Sequence, residues 1–442
     1  MGRSMINSNT KNVNPKEPTG QPGRLRYPIA GIFMMLCIGN VYSWSVFAKP
    51  LWELGFSQSQ TTSAFQLSIV IFTIAMIFAG RWQDKAGPKT VAVFSGVMMS
   101  LGFVLMKFFG NTPTGMLICF SGIVGIGMGA GYVTPLATAI KWYPEKRGLI
   151  SGLVVMGMGA GSIVGGMGGP VLIAKYGVWD TFMIFGIVFG LIITACGFVL
   201  KNPPEGYMPP GAAGTPEKNI TAVKQGKNHV SPHDYSVKEM LSTSSFYFIW
   251  LVYIIGTGGG LMVISQAANF GVDVVNLTAI AAGSVIMVLG IFNGLGRPVC
   301  GYLSDKIGRR NVIFLAFGIQ IIALVLVLPN AGNYWIYAAG VSLIGFSYGG
   351  FLGTMPAITA DYFGLKNVGS NYAWIYTGWG AAGYFGPQVA KVIVGGSTVP
   401  ADWNKAFYFI AASCLAGIVL WFFTKPPVRT IHKALGPEIL AS

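Results

Sequence analysis

The sequence contains little charge for its length. Of its 442 residues only 10% are Asp, Glu, Lys or Arg, and 14 acidic residues stand against 29 basic ones. Soluble domains carry roughly 25% charged residues, so this composition excludes an ordinary water-soluble globule. The hydrophobic residues, 53% of the chain, fall in blocks of about 20, the length that crosses a bilayer core. The composition indicates a bundle of membrane spans.

Histidine and cysteine are also scarce. The three histidines, His229, His233 and His432, lie outside the apolar blocks, which excludes a histidine proton relay within the membrane. The five cysteines fall inside the blocks at no metal-ligand spacing, so we predict neither metal, cofactor nor disulfide. The spans show no Ser-His, Cys-His or paired-carboxylate arrangement, so we do not expect an enzyme.

The apolar blocks number twelve and are separated by short polar segments. We predict an all-α membrane protein with twelve transmembrane helices in two pseudo-symmetric six-helix bundles. The predicted spans are 27–48, 58–80, 89–109, 115–139, 148–174, 179–200, 244–267, 277–300, 311–329, 334–359, 367–394 and 404–424.

These spans divide the chain into five parts. Residues 1–23 form an N-terminal tail, 24–200 the first bundle and 241–424 the second, and 425–442 a C-terminal tail. Residues 201–240 between the bundles are rich in Pro, Gly, Lys and Ser, which is typical of a flexible linker. Such parallel halves suit a carrier that rocks one bundle against the other around a central site.

The basic residues concentrate on one side of the predicted spans. Lysine and arginine mark cytoplasmic loops, so we predict a multi-pass protein of the plasma or inner membrane with both termini cytoplasmic. The net charge of +15 then reflects topology, and we exclude a nucleic-acid partner. The basic residues on the predicted inside include Arg24, Arg26, Arg81, Lys85, Lys89, Lys141, Lys146, Arg147, Lys201, Lys306, Arg309, Arg310 and Lys425.

One motif occurs twice. Residues 80–89 (GRWQDKAGPK) follow the second span and residues 301–310 (GYLSDKIGRR) follow the eighth, which places Asp84 and Asp305 221 residues apart. The motif resembles the signature loop of the major facilitator superfamily. The resemblance implies that Asp84 and Asp305, with Arg81 and Arg309, stabilise a closed state of a transporter; a solvated turn is the alternative.

Further matches place the chain near one branch of that superfamily. Segments 40–44, 141–152, 293–301 and 361–374 resemble the branch of the oxalate/formate antiporters and proton-linked monocarboxylate transporters. The resemblance covers nearly all spans and is specific to the branch, not to a substrate.

Arg297 lies near the end of the eighth predicted span, 277–300, and is the only charged residue within it. Burying a guanidinium in a membrane costs about 3 kcal/mol, so it usually faces a cavity and a partner, and its fork of donors fits a carboxylate. No acidic residue lies deep enough in the spans to neutralise it. Asn293, four residues earlier, lies on the same helix face. The alternatives are an arginine that extends to the headgroups and an asparagine that bonds a neighbouring helix.

The resemblance identifies Arg297 with the arginine that binds substrate carboxylate. It also shows a departure, because the oxalate antiporter pattern has a lysine where this chain has Trp379. Without that second cation a monoanion balances Arg297 better than a dianion does. Aromatic residues that the resemblance places in the central cavity are candidates for contacting the substrate but are equally compatible with packing, and Tyr348 is the strongest candidate. They are Tyr42, Tyr132, Tyr348, Tyr376 and Trp379.

Proton coupling has two candidate residues. The monocarboxylate pattern has an aspartate at the position of Asn293, so a simple Asp-Arg switch is absent here. Coupling then involves Asp273, or a rule by which the anion must neutralise Arg297 before the carrier moves.

We predict a monomeric secondary active transporter of small monocarboxylates such as lactate or pyruvate, coupled to protons. The alternatives are a carboxylate exchanger of the oxalate/formate type and a carrier-shaped receptor. The predicted linker is too short for a signalling domain, which argues against the receptor.

Overall fold

The computed structural model describes residues 23–204, 207, 209, 228, 230–395 and 397–427. The predicted N-terminal tail up to residue 22, most of the predicted linker, and the C-terminal tail from residue 428 lie outside the described residues. His229 and His432 lie outside them too.

The first half consists of helices that run up and down. They are α1 (Arg26–Gly39), a 3-10 turn (Asn40–Ser43), α2 (Trp44–Glu53), α3 (Gln58–Ala86), α4 (Pro88–Phe109), α5 (Pro113–Met116), a π-helical segment (Leu117–Val124), α6 (Gly125–Trp142), α7 (Arg147–Tyr176) and α8 (Val178–Val199).

The second half repeats this arrangement after a short helix. It consists of α9 (Val237–Leu241), α10 (Ser244–Asp273), α11 (Ala279–Ile307), α12 (Arg309–Ile322), a π-helical segment (Ala323–Val327), a 3-10 turn (Leu328–Asn330), α13 (Tyr334–Phe363), α14 (Val368–Ile393) and α15 (Pro400–Phe423).

Local sequence sets the helix ends. α3 begins after Ser57, whose hydroxyl accepts from the backbone N–H of Gln60 while the Gln60 side chain accepts from the Ser57 N–H, a complete capping box. The two repeated loops each end their helix at a glycine, Gly87 with φ of 85° and Gly308 with φ of 99°. Side chains rarely adopt this conformation, so glycine allows α3 and α11 to stop and the chain to reverse at once.

Ten helices among the described residues are long and apolar enough to cross a membrane, or eleven if the bent pair Arg26–Ser43 and Val46–Glu53 is one span. The 26-residue helix α14 is not among them, since glycines, aromatic residues and polar side chains lower its hydropathy. The all-helical membrane fold is confirmed, and the count of twelve spans stays a prediction.

The two halves meet along reciprocal helix pairs. α3 packs against α14, and α7 packs against α11 and α13. Small residues permit this approach, because a Cβ on Gly80 would lie 2.5 Å from the carbonyl oxygen of Gly369. Gly148 of α7 and Gly301 of α11 make the same kind of contact. The interface is therefore closely packed at the end that carries the repeated loops.

Candidate functional site

Asp84, in the first repeated loop, connects the two halves. Its Oδ2 accepts hydrogen bonds from the backbone N–H (2.7 Å) and the hydroxyl (2.8 Å) of Ser370, and its Oδ1 accepts one from Lys141 Nζ (3.0 Å). Ser370 lies in the first turn of α14, in the opposite half. A carboxylate is favoured there, because the first amides of a helix lack partners and carry partial positive charge.

Asp305, in the second repeated loop, makes the symmetric contact. Its two oxygens accept from the backbone N–H groups of Gly148 (3.0 Å) and Leu149 (2.8 Å), in the first turn of α7. Arg309 Nη1 donates to Asp305 Oδ1 at 2.5 Å. Each repeated aspartate therefore caps a helix of the other half.

Asp361 extends the Asp305 contacts to a second ion pair between the halves. It is 1% exposed, and its two oxygens accept from Arg147 Nη1 of the first half (2.6 Å) and Arg309 Nε of the second (2.8 Å). In this group and in the separate pair of Asp84 and Lys141, each carboxylate and each cation has a partner of opposite charge, so the buried charges balance. We call the two groups of ion pairs together the closure cluster; it consists of Asp84, Lys141, Arg147, Asp305, Arg309 and Asp361.

The closure cluster contains three of the four residues predicted for gating: Asp84, Asp305 and Arg309. The fourth, Arg81, has an exposed side chain and forms no ion pair within the described part of the chain. The sequence reasoning did not assign Lys141, Arg147 or Asp361. Their signal was a second, weaker repeat in the sequence: residues 141–148 (KWYPEKRG) follow the fourth predicted span and residues 361–368 (DYFGLKNV) follow the tenth.

Arg297 lies near the centre of the protein and is completely buried. Its Nη1 donates to the backbone carbonyl of Val155 in α7, at 2.6 Å, and its Nε and Nη2 lie 3.4 and 3.3 Å from Asn293 Oδ1. It has no acidic partner among the described residues. The backbone of Arg297 is also enclosed, since a Cβ on Gly152 or Gly353 would collide with its carbonyl group. The structure thus holds an unneutralised cation in a fixed position.

Aromatic side chains from five helices pack together beside Arg297. Tyr376 stacks on Trp379 with ring centres 5.0 Å apart, and its ring centre lies 4.7 Å from that of Tyr132. Phe72 contacts these three rings edge-on. We call this group the aromatic cage; it consists of Phe72 of α3, Tyr132 of α6, Tyr253 of α10, Tyr348 of α13, and Tyr372, Tyr376 and Trp379 of α14.

Some hydroxyl groups of the cage have hydrogen-bond partners and others do not. Trp379 Nε1 donates to the hydroxyl of Tyr348 at 2.8 Å, and the hydroxyls of Tyr253 and Tyr372 lie 3.5 Å apart. The buried hydroxyls of Tyr132 and Tyr376 have no hydrogen-bond partner among the described residues. Buried polar groups are nearly always paired. The Tyr132 hydroxyl also lies close to the hydroxyls of Tyr372 and Tyr376, so the two unpaired hydroxyls are candidates for bonding either a ligand or one another.

The predicted substrate residues lie near one another. Asn293 contacts Arg297; Tyr132, Tyr348, Tyr376 and Trp379 belong to the cage; and the half-buried Tyr42 lies beside Arg297 and Tyr348. Whether they bind substrate stays a prediction. The sequence reasoning missed Phe72, Tyr253 and Tyr372, because an aromatic residue within an apolar span carries no signal that separates a cavity wall from ordinary packing.

At the end opposite the closure cluster the halves leave a polar cleft of about 400 Å³. Gln66 of α3 contributes from the first half, six residues or about 9 Å along the helix from Phe72 of the cage. Asp273 and Lys391 line the cleft, and both are exposed. Asp273 lies about 30 Å along α10 from Tyr253 of the cage, so its predicted role in proton coupling would act in this cleft and not at Arg297.

Comparison with known proteins agrees with this architecture. A family model described as Major Facilitator Superfamily matches residues 29–329 and 272–440. The chain is 29% identical to the oxalate:formate antiporter of Oxalobacter formigenes, over 96% of this chain and 98% of that protein. It is 24% identical to Monocarboxylate transporter 14 of Homo sapiens, over 87% and 86%.

The same fold occurs in a solved structure. The proton:xylose symporter XylE superposes with a TM-score of 0.68 at 14% identity, covering 91% of this chain and 96% of that one. The resemblance that the repeated motif and the branch segments indicated is therefore confirmed. This multi-pass membrane protein belongs to the Major Facilitator Superfamily, whose members are transporters.

Proposed function

We propose that this protein transports small monocarboxylates, such as lactate or pyruvate, by alternating access. The observation that carries the proposal is the buried Arg297, which has no acidic partner among the described residues and lies beside the cage. A monocarboxylate supplies the one missing negative charge and accepts hydrogen bonds from the guanidinium. The hydroxyls of Tyr132 and Tyr376 are the candidates for bonding its 2-hydroxy or 2-oxo group.

The cage favours a monoanion over a dianion. Trp379, where the antiporter pattern has a lysine, donates its indole N–H to Tyr348 and provides no charge. A dianion beside Arg297 would leave one buried negative charge uncompensated, which costs several kcal/mol. The names of two relatives agree with this substrate class, Monocarboxylate transporter 14 of Homo sapiens and Apicoplast pyruvate carrier 1 of Toxoplasma gondii.

The conformation fits one stage of the transport cycle. The closure cluster seals the end with the repeated loops, which we take to be cytoplasmic, while the cleft at the other end is accessible. We infer an outward-oriented state of a monomer in the plasma or inner membrane. We also infer that a proton accompanies the anion, with Arg297 and Asp273 as the candidate residues.

A second candidate is carboxylate exchange, which the similarity to the oxalate:formate antiporter along nearly the whole chain favours. An exchanger needs a carboxylate on both sides of the membrane, whereas a symporter can take up substrate into a vesicle that contains none. The two functions therefore make opposite predictions for unloaded vesicles.

The test is uptake of labelled L-lactate by proteoliposomes, with and without an inward proton gradient and with and without unlabelled lactate inside. Protein-free liposomes give the background. Symport predicts gradient-driven uptake into empty vesicles, and uptake only into preloaded vesicles would assign the exchanger. If neither lactate nor any other small monocarboxylate is taken up by the folded protein, the proposed substrate class is wrong.

A further inference from the structure

An apolar groove runs along the outside of the first half, between α3, α4 and α6. It has a volume of about 480 Å³ and its lining is almost entirely apolar. Phe78 is 72% exposed and Trp82 is 40% exposed, and Trp82 packs edge-on against Phe94 with ring centres 5.2 Å apart. Ala75 forms part of the groove wall. Alanines on α3 and α6 leave a concave channel where larger side chains would give a flat surface.

Two basic side chains stand at the end of this groove. Arg81 and Lys85 are exposed on the last two turns of α3, on either side of Trp82. Neither forms an ion pair within the described ranges of the chain. Lys85 follows Phe78 by seven residues and Trp82 by three, so it lies on the helix face that lines the groove. Tryptophan, lysine and arginine together are typical of the level of the lipid headgroups.

The charged residues near the end of α3 lie on two different faces of the helix. Asp84 points across the interface to Ser370 and Lys141, whereas Arg81 and Lys85 are exposed. Positive charge at the end of an apolar groove is complementary to a molecule with a hydrocarbon chain and an anionic head. A second protein copy would also cover apolar residues, but it would not by itself explain two adjacent cations without ion-pair partners.

We propose that this groove binds one anionic phospholipid, with an acyl chain along α3 and the headgroup phosphate on Arg81 and Lys85. This inference does not rest on the proposed substrate, because the groove lies outside the cage. It gives Arg81 a role that its exposed position permits. It also places a lipid on the helix that carries Asp84 of the closure cluster.

The experiment is native mass spectrometry of the purified full-length protein with equimolar phosphatidylglycerol and phosphatidylcholine. We compare the unmodified protein with the double variant Arg81→Gln/Lys85→Gln and with Ala75→Phe, which fills the groove. The matched control is Lys306→Gln, since Lys306 occupies the position of Lys85 in the second repeated loop, where its Nζ lies 5.7 Å from the ring centre of Tyr302.

We expect the unmodified protein and Lys306→Gln to retain one phosphatidylglycerol in preference to phosphatidylcholine. The double variant should bind it about 25-fold more weakly, because each basic residue near an anionic lipid contributes about five-fold in affinity. Ala75→Phe should lose the lipid although both cations remain.

Equal retention of the two lipids, or unchanged phosphatidylglycerol binding by the double variant, would overturn the proposal. A dimer that Ala75→Phe dissociates without loss of lipid would assign the groove to a second copy and would overturn it as well. Because the readout is bound lipid, a failure here leaves the proposed transport activity untouched.

Discussion

The closure cluster and the central site differ in whether their buried charges have partners of opposite charge. In the closure cluster every carboxylate has a basic partner, and Asp84 and Asp305 also cap helix ends. At the centre Arg297 is equally buried, but it forms no ion pair among the described residues, and its guanidinium donates to carbonyl and amide oxygens. The paired charges of the closure cluster stabilise one arrangement of the halves, whereas the unpaired guanidinium of Arg297 would stabilise a bound anion. From this difference we infer that the closure cluster fixes the conformation and that Arg297 is the residue that binds the proposed ligand.

Removing Arg147 should have the largest effect, because it breaks the paired region. In Arg147→Gln the cluster loses its cross-half ion pair with Asp361, at a cost to the closed state of about 3 kcal/mol. Hydrogen exchange at the first turns of α7 and α14 should become faster. The control is Lys107→Gln, which removes a partly exposed ion pair with Asp180 inside the first half. Similar exchange in both variants would contradict a closing role for Arg147.

Removing Arg297 should affect ligand binding and leave the closure cluster intact. Arg297→Gln loses the charge-assisted hydrogen bonds to a carboxylate, worth about 2 kcal/mol, so lactate should bind about 30-fold more weakly in calorimetry. Arg297→Lys keeps the charge but loses the two-pronged donor geometry, so its lactate affinity should lie between those of the unmodified protein and Arg297→Gln. Unchanged affinity in Arg297→Gln would place the anion elsewhere.

The cage hydroxyls allow a finer comparison. Tyr376→Phe removes a hydroxyl with no partner among the described residues, so thermal stability should not fall, while lactate affinity should drop about five-fold. Tyr348→Phe removes the acceptor of the Trp379 N–H, so its stability should fall by about 1 kcal/mol. The two melting temperatures test this contrast. A loss of stability in Tyr376→Phe would mean that its hydroxyl is already satisfied.

The smallest effect is expected at the cleft. Lys391→Gln removes a positive charge from the entrance, so the KM for lactate should rise about two-fold at low salt and be unaffected at 1 M salt. Lys405→Gln is the control, because Lys405 forms an ion pair with Asp402 on the neighbouring helix α15. An equal change in both variants would indicate a general surface effect.

The repeated residues show how far sequence alone leads. Asp84 and Asp305 could be predicted because the same short motif occurs twice, 221 residues apart. The motif itself contains both the aspartate and the glycine at which the helix ends. The pair between Arg147 and Asp361 could not be predicted in this way, since it joins residues 214 positions apart and depends on how two complete bundles dock. Arg81 illustrates the same limit, because its neighbour Asp84 points inward while its own side chain is exposed.

The central site divides similarly. Arg297 could be identified because a guanidinium within a membrane span is costly and rare, so such a residue usually has a functional role. The cage could not be drawn from sequence, because Tyr253 and Tyr372 resemble the many aromatic residues that pack between helices. Only the structure shows which hydroxyls have partners and which do not.

The hydrogen bond from Arg297 Nη1 to the Val155 carbonyl joins a side chain of one half to the backbone of the other. A carboxylate that draws this donor away competes with the contact between the halves, so ligand affinity and the strength of that contact are thermodynamically linked. Linkage is reciprocal: if the ligand weakens the contact by a given factor, the contact weakens ligand binding by the same factor. If Arg297 binds the proposed anion, no relay between site and interface is needed to couple binding to movement, because Arg297 is part of both.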